Sequence, residues 1–92
     1  MPSRDEVFGL IESAIGQVQA AAGRDVTPIS TRTELFREIA DFDSLNALEV
    51  LVQVSGSLDV EIPDKVLVAD RKRGPLTVGQ LADRIAAQVG LN

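Results

Sequence analysis

Cysteine, histidine, tryptophan and tyrosine are all absent from this chain of 92 residues. Without cysteine the chain has no disulfide framework, no thiolate metal site and no cysteine nucleophile. Without histidine it lacks the most frequent general base and the most frequent metal ligand. We therefore expect no catalytic residue and no metal ligand, which argues against a self-sufficient hydrolase.

Aromatic and basic residues are scarce. Three phenylalanines are the only aromatic residues, so nucleic-acid bases would find little surface on which to stack. Nine basic residues against 14 acidic ones give a net charge of −5, which repels phosphate backbones. We expect no nucleic-acid partner, and protein partners with basic surfaces.

Long apolar runs are also missing. No run approaches the roughly 18 residues that a transmembrane helix needs, and residues 1–6 lack the basic-then-apolar order of a signal peptide. We expect no stable membrane insertion and a cytoplasmic location. The length fits one domain over residues 1–92, and a hydrophobic content of 45% is typical of a globular one.

Two capping boxes predict the first and last helices. Ser3 with Glu6 opens the first, and Gly23 is its predicted stop; Thr77 with Gln80 opens the last, which ends at Gly90. Each has apolar residues at helical spacing on one face. These are Val7, Ile11, Ala14, Ile15 and Val18 in the first helix, and Val78, Leu81, Ile85 and Val89 in the last.

The middle of the chain is less regular. Residues 24–43 predict a long loop with a helical turn over 34–39, anchored to the core by Leu35, Phe36, Ile39 and Phe42. Residues 44–57 predict a second helix with Ser44 as its cap, although the alternation of valines there would also suit a strand. Residues 58–62 are too few for a secure strand, and 64–70 predict a short helical piece. The basic turn at 71–75 is either a solvated loop or a contact for an acidic partner or an anionic lipid surface.

The second helix has two apolar faces. Ala47, Val50, Leu51, Val54 and Leu58 form one, while Leu45, Leu48 and Val52 lie nearly opposite with Glu49 among them. Such a helix is either covered on both sides or keeps one face for partners or cargo. Between residues 34 and 64 eight acids oppose one arginine, a local charge of 1 − 8 = −7. This is either a solvated surface or, beside the second apolar face, part of a protein-docking site.

The segment 43–49 (DSLNALE), followed by 58–64 (LDVEIPD), resembles the acyl carrier protein (ACP) family, and the likeness covers nearly the whole chain. The resemblance implies an all-α fold, a small four-helix bundle with a long loop between the first two helices and a short third helix. It implies that Ser44, flanked by Asp43 and Leu45, receives 4′-phosphopantetheine from coenzyme A. The thiol of that group carries acyl chains as thioesters in fatty-acid, lipid or polyketide-type biosynthesis.

The same resemblance assigns partners and further residues. Partner enzymes would read Leu45, Leu48, Glu49 and Val52, and the acyl chain would lie among residues such as Phe36, Leu51 and Val54. The partners are a phosphopantetheinyl transferase and enzymes of the acyl-ACP synthetase, ketosynthase or acyltransferase type. The chain itself is then a monomeric carrier and not an enzyme.

The chain departs from the family pattern before Asp43. Members often have an acid, a leucine, a glycine and one more residue there, whereas residues 38–42 (EIADF) are one residue longer, lack the glycine and place bulky Phe42 where a tight turn is expected. This predicts a specialised member. Two alternatives stay open: a peptidyl carrier domain, and a small helical interaction domain in which Ser44 only caps a helix. A serine-nucleophile enzyme is disfavoured because the chain has no histidine.

Overall fold

The computed structural model describes residues 3–25, 28–39, 41–68 and 74–90. These residues form three α-helices, α1 (Arg4–Ala21), α2 (Ser44–Leu58) and α3 (Val78–Gly90), with one 3₁₀ helix (Asp64–Leu67) between α2 and α3. Extended pairing among them is limited to one isolated antiparallel bridge between Glu34 and Thr77. The all-α prediction is therefore confirmed. A four-helix bundle is not, because the third helical segment is a 3₁₀ helix of four residues.

Side chains cap α1 and α3 at the predicted places. The Ser3 hydroxyl accepts a hydrogen bond from the Glu6 amide at 3.2 Å. Before α3, the Thr77 hydroxyl accepts from the Gln80 amide, and the Gln80 side chain accepts from the Thr77 amide, both at 3.1 Å. These bonds satisfy amides that have no partner inside a helix, which fixes where each helix begins.

Gly23 ends α1, as the sequence predicts. Its φ of 73° is left-handed, a conformation that glycine adopts without a steric cost. The Gly23 amide donates to the Ala20 carbonyl at 3.0 Å, and the Arg24 amide donates to the Gln19 carbonyl at 2.9 Å. This pair of bonds is a Schellman motif, and it fixes the direction in which Arg24 leaves the helix.

The two apolar faces of α2 have different environments. The first lies in the core, where Ala47, Val50, Leu51 and Val54 are all buried. The second is open, with Leu45, Leu48 and Val52 exposed by 63%, 41% and 71%. The helix is therefore not covered on both sides, and the competing strand interpretation of its valines is wrong.

The loop between α1 and α2 is attached to the core by three of the four predicted side chains. Leu35, Ile39 and Phe42 are buried at 5% exposure or less. Phe36 is 41% exposed, so the prediction that it anchors the loop is wrong. Its ring lies against Phe42, with 6.2 Å between the centroids. The turn at residues 35–38 has Leu35 on its buried side and Phe36 on its exposed side.

Backbone hydrogen bonds tie the same loop to the segment that enters α3. The Leu35 amide donates to the Leu76 carbonyl and the Val78 amide donates to the Thr33 carbonyl, both at 2.9 Å. The Gly79 amide then donates to the Thr31 carbonyl at 2.9 Å. The loop thus crosses the start of α3 at close range.

The 3₁₀ helix is shorter than the helical piece predicted over 64–70. The Arg84 guanidinium, from α3, donates to the Val66 carbonyl at 2.9 Å and also to the Val68 carbonyl. The segment ends at Leu67 because Val68 has extended backbone angles, and residues 69 and 70 of the predicted piece lie outside the described part of the chain. The predicted basic residues Arg71, Lys72 and Arg73 lie outside the described residues. In the described part of the chain, no helix combines the length and apolarity needed to cross a membrane.

Candidate functional site

The start of α2 is organised by Asp43 and not by Ser44. Asp43 has extended backbone angles, and its carboxylate accepts the Asn46 amide at 2.9 Å. The Asn46 side-chain oxygen accepts the Asp43 amide in return, at 3.4 Å. Ser44 is the first helical residue and is exposed. The prediction that Ser44 caps the helix is therefore wrong, since the carboxylate one residue earlier completes a reciprocal box with Asn46.

The turn before this cap is made by Asp41. Its φ of 55° is left-handed, and aspartate is among the few non-glycine residues that adopt this conformation readily. Asp41 stands two residues before Asp43, the place of the glycine in the family pattern. Phe42 follows directly: its amide closes the turn by donating to the Ile39 carbonyl at 3.3 Å, and its side chain is buried at 5% exposure.

A third residue at the site, Arg24, comes from the far end of the loop. Its guanidinium donates to the Asp41 carbonyl and, at 3.1 Å, to the Asn46 side-chain oxygen. It therefore bonds the chain on both sides of Ser44. Neither Arg24 nor Asn46 was predicted from the sequence to belong to this site. Asn46 is not the glutamate or glutamine of the usual capping box, and no local pattern signals a contact between residues 17 or 22 positions apart.

One face of α2 brings together the residues predicted to meet partners. Leu45, Leu48, Glu49 and Val52 are all exposed, and they line a shallow depression of about 430 Å³. Their spacing of three, four and seven residues places them on one side of the helix. This set is called the docking face below. It begins at the residue that follows Ser44, and a carboxylate lies among its apolar side chains.

A second groove runs between α2 and the 3₁₀ helix. It has a volume of about 470 Å³ and is lined mainly by apolar side chains, among them Leu48, Leu51 and Ile62. Of the residues predicted to contact an acyl chain, Leu51 lies in this groove. Val54 lies in the core at 1% exposure, and Phe36 lies on the surface beside Phe42.

The acidic side chains around the site face solvent. Between residues 34 and 64, seven of the eight are exposed, namely Glu38, Asp41, Asp43, Glu49, Asp59, Glu61 and Asp64, and Glu34 is half-buried. The opposing Arg37 lies 3.5 Å from the Glu34 carboxylate. Within the described ranges no three histidine, cysteine, aspartate or glutamate side chains converge as a metal site would require. Two of these acids, Glu61 and Asp64, line a groove together with Leu48 and Val52, so negative charge adjoins the docking face.

Comparison with known proteins identifies the relationship. Over 64 residues the chain is 39% identical to the mitochondrial acyl carrier protein of Saccharomyces cerevisiae, which is 70% of this chain and 46% of that relative. The chain is related to the acyl carrier proteins. It spans about half the length of this curated relative. No family model and no solved structure matches the chain. The acyl carrier relationship thus rests on sequence identity, and the all-α fold agrees with it.

Proposed function

We propose that this chain is an acyl carrier that holds 4′-phosphopantetheine on Ser44 and presents acyl groups to partner enzymes. The observation that carries the proposal is the position of Ser44. It is an exposed hydroxyl at the first residue of α2, directly before the docking face, in a chain related to the acyl carrier proteins.

The surroundings of Ser44 fit a phosphodiester. The first amides of a helix have no helical acceptors, and a helix N-terminus stabilises an anion by roughly 0.3–1 kcal/mol. Asp43 is engaged with the Asn46 amide, and Leu45 is exposed on the other side. When attached, the group supplies a thiol that the chain itself lacks, and no cysteine competes with it for acyl groups.

Attachment makes the chain a substrate of a phosphopantetheinyl transferase. The Ser44 oxygen forms a bond to the phosphorus that bears the pantetheine arm of coenzyme A. The pyrophosphate bond of coenzyme A breaks, adenosine 3′,5′-bisphosphate leaves, and the serine proton passes to a base of the transferase. Every group that catalyses this transfer belongs to the transferase, which agrees with a chain that has no histidine or cysteine.

The docking face is the surface offered to enzymes. We propose that Leu45, Leu48 and Val52 enter apolar hollows on an acyl-ACP synthetase, ketosynthase or acyltransferase, while Glu49 pairs with a basic side chain there. An apolar centre with a charged neighbour is the usual composition of a specific interface. Since the arm must move between several active sites, we expect the carrier to act as a monomer.

For the acyl chain we propose the groove between α2 and the 3₁₀ helix. Leu51 lines it, Val54 packs one turn further along the same helix, and Phe36 stays a predicted contact from the loop. Acyl loading should then raise the melting temperature of the wild type, and filling the groove with Ser55→Leu should remove that rise. Gly16→Leu fills the separate cavity between α1 and the loop and is the control. An unchanged rise in Ser55→Leu would exclude this groove.

Intact-mass measurement tests the proposed attachment. The purified chain, incubated with coenzyme A, magnesium and a promiscuous transferase, should gain the mass of one phosphopantetheine. Ser44→Ala should gain none, whereas Ser57→Ala, an exposed serine of the same helix, should gain it as the wild type does. No gain with several transferases would favour the interaction domain without a prosthetic group, and loading by amino-acid adenylating enzymes alone would favour the peptidyl carrier.

The compartment of the chain is a separate proposal. The sequence predicts the cytoplasm, whereas the yeast relative is named as mitochondrial. We propose the cytoplasm, and fractionation of the host cell followed by immunodetection of the chain tests it. Recovery in an organelle fraction would contradict the proposal without affecting the carrier function.

A further inference from the structure

We propose that Arg24 is a positioning residue that presets the segment 41–46 so that Ser44 is presented to the transferase. This inference rests on the proposed function, because it concerns the attachment of the phosphopantetheine group. It concerns a residue outside the motif that carries the family resemblance.

Arg24 is itself held in place by the cap at the end of α1. The left-handed Gly23 closes the Schellman motif, in which the Arg24 amide donates to the Gln19 carbonyl at 2.9 Å. The backbone of Arg24 is therefore part of the cap of α1, and its side chain is only partly exposed. A guanidinium on such a fixed base loses less conformational entropy when it forms further bonds.

The Arg24 guanidinium donates hydrogen bonds to two acceptors, one on each side of Ser44. One nitrogen donates to the carbonyl of Asp41, the residue in the left-handed turn before Ser44. The other donates at 3.1 Å to the side-chain oxygen of Asn46, which also accepts the Asp43 amide. Two separate nitrogens of the planar guanidinium each hold one of these acceptors, a spacing that the single ammonium nitrogen of a lysine does not reproduce.

The third step is the consequence for phosphoryl transfer. The docking face is built by α2 itself, so losing Arg24 leaves the surface that binds the transferase in place. Without Arg24 the turn at Asp41 and the cap at Asp43 become less constrained. The Ser44 hydroxyl is then less often in position to attack the phosphorus of bound coenzyme A. A displacement of about 1 Å can cost about 10²-fold in rate. The effect should therefore fall on kcat and not on KM.

Steady-state kinetics of transferase modification test the inference, with the full-length chain as the varied substrate. Arg24→Gln should lower kcat by about tenfold or more and change KM by less than about twofold. Arg32→Gln makes the same charge change at an exposed loop position outside the acidic region and should behave as the wild type. Arg24→Lys keeps the charge but loses one of the two bonds, so its kcat should lie between those of wild type and Arg24→Gln.

Each other outcome has a defined meaning. Equal kinetics for Arg24→Gln and Arg32→Gln would overturn the inference, since charge alone would then explain the data. A change confined to KM, or full activity in Arg24→Lys, would overturn it as well. Circular dichroism checks that Arg24→Gln is folded, and if it is not, Arg24→Lys decides by the same criterion.

If the wild-type chain gains no phosphopantetheine, the proposed function fails and this inference fails with it. If the wild type is modified and Arg24→Gln matches it, only this inference fails.

Discussion

At the scale of single residues, the site separates two tasks between neighbours. Asp43 holds the helix start by bonding the Asn46 amide, and Ser44 leaves its hydroxyl available at an exposed position. A serine that capped the helix would have its oxygen engaged with the backbone amides of the first turn. Moving the cap to the preceding residue therefore suits a hydroxyl that is to be modified.

This separation predicts different effects of two alanine substitutions. Asp43→Ala removes the cap and should lower the free energy of unfolding by about 1 kcal/mol. Ser44→Ala should change it by less than about 0.5 kcal/mol, because no cap is lost. Urea denaturation of the unmodified proteins measures both. A Ser44→Ala loss as large as that of Asp43→Ala would show that the serine caps α2 after all.

Gly79 gives a second prediction at this scale. A Cβ there would lie 2.7 Å from the Thr31 carbonyl oxygen and 2.7 Å from a guanidinium nitrogen of Arg4. Since Thr31 contributes backbone and cannot simply rotate away, Gly79→Ala should cost about 1–3 kcal/mol by overpacking.

Gly9 is the matched control for Gly79. It lies within α1, and a Cβ added there would meet no neighbouring element within 4 Å. Gly9→Ala should therefore raise the free energy of unfolding by about 0.5–1 kcal/mol, the helix-propensity difference. Thermal or urea unfolding of the two variants should move in opposite directions, and equal shifts would contradict the close approach at Gly79.

At the scale of elements, the sequence was informative where signals are local. Both ends of α1 follow from Ser3 and Gly23, and the start of α3 follows from Thr77, because caps act over three or four residues. The start of α2 was placed correctly, but its cap was assigned to the wrong neighbour. The left-handed turn at Asp41 and its bond to Arg24 depend on tertiary packing, so no pattern within the loop indicates them.

The shortening of the third helical segment has the same kind of cause. A short helical piece was predicted over 64–70, but Val68 is already extended, and its carbonyl and that of Val66 accept hydrogen bonds from Arg84 of α3. These contacts join residues 18 and 16 positions apart. Sequence patterns within one segment do not carry that information.

Valine-to-alanine substitutions distinguish the buried face of α2 from the exposed face by their effect on stability. Val54→Ala should lower the free energy of unfolding by about 2 kcal/mol, because Val54 is 1% exposed in the core. Val52→Ala removes the same two methyl groups at 71% exposure and should change stability by less than about 0.5 kcal/mol.

The affinity for partner enzymes should depend more on Val52 than on Val54, the reverse of the order expected for stability. Val52→Ala should weaken the complex with a transferase or acyl-transferring enzyme by about fivefold, whereas folded Val54→Ala should bind almost as the wild type does. Isothermal titration calorimetry at a temperature where both variants are folded measures this. Unchanged affinity in Val52→Ala would remove that residue from the docking face.

At the scale of the whole molecule, charge is distributed unevenly. The chain carries −5 in total, whereas residues 34–64 carry −7, so the remainder is positive by 2. Glu61 and Asp64 of this region share a groove with Leu48 and Val52 of the docking face, and negative charge at such a place accelerates encounters with basic surfaces. Ser44, the proposed attachment residue, thus belongs to the negatively charged part of the chain.

Glu49 tests whether this charge serves recognition. Glu49→Lys should lower the association rate with the transferase several-fold at low salt, because it reverses a charge within the docking face. Glu12→Lys makes the same change of net charge, from −5 to −3, at an exposed position of α1 and should have a smaller effect. Raising the ionic strength to about 1 M shortens the Debye length to about 3 Å and should bring the three association rates together. Stopped-flow measurement gives the association rates at both salt concentrations. Equal rates for Glu49→Lys and Glu12→Lys at low salt would mean that only net charge matters and that the acidic surface does not orient the partner.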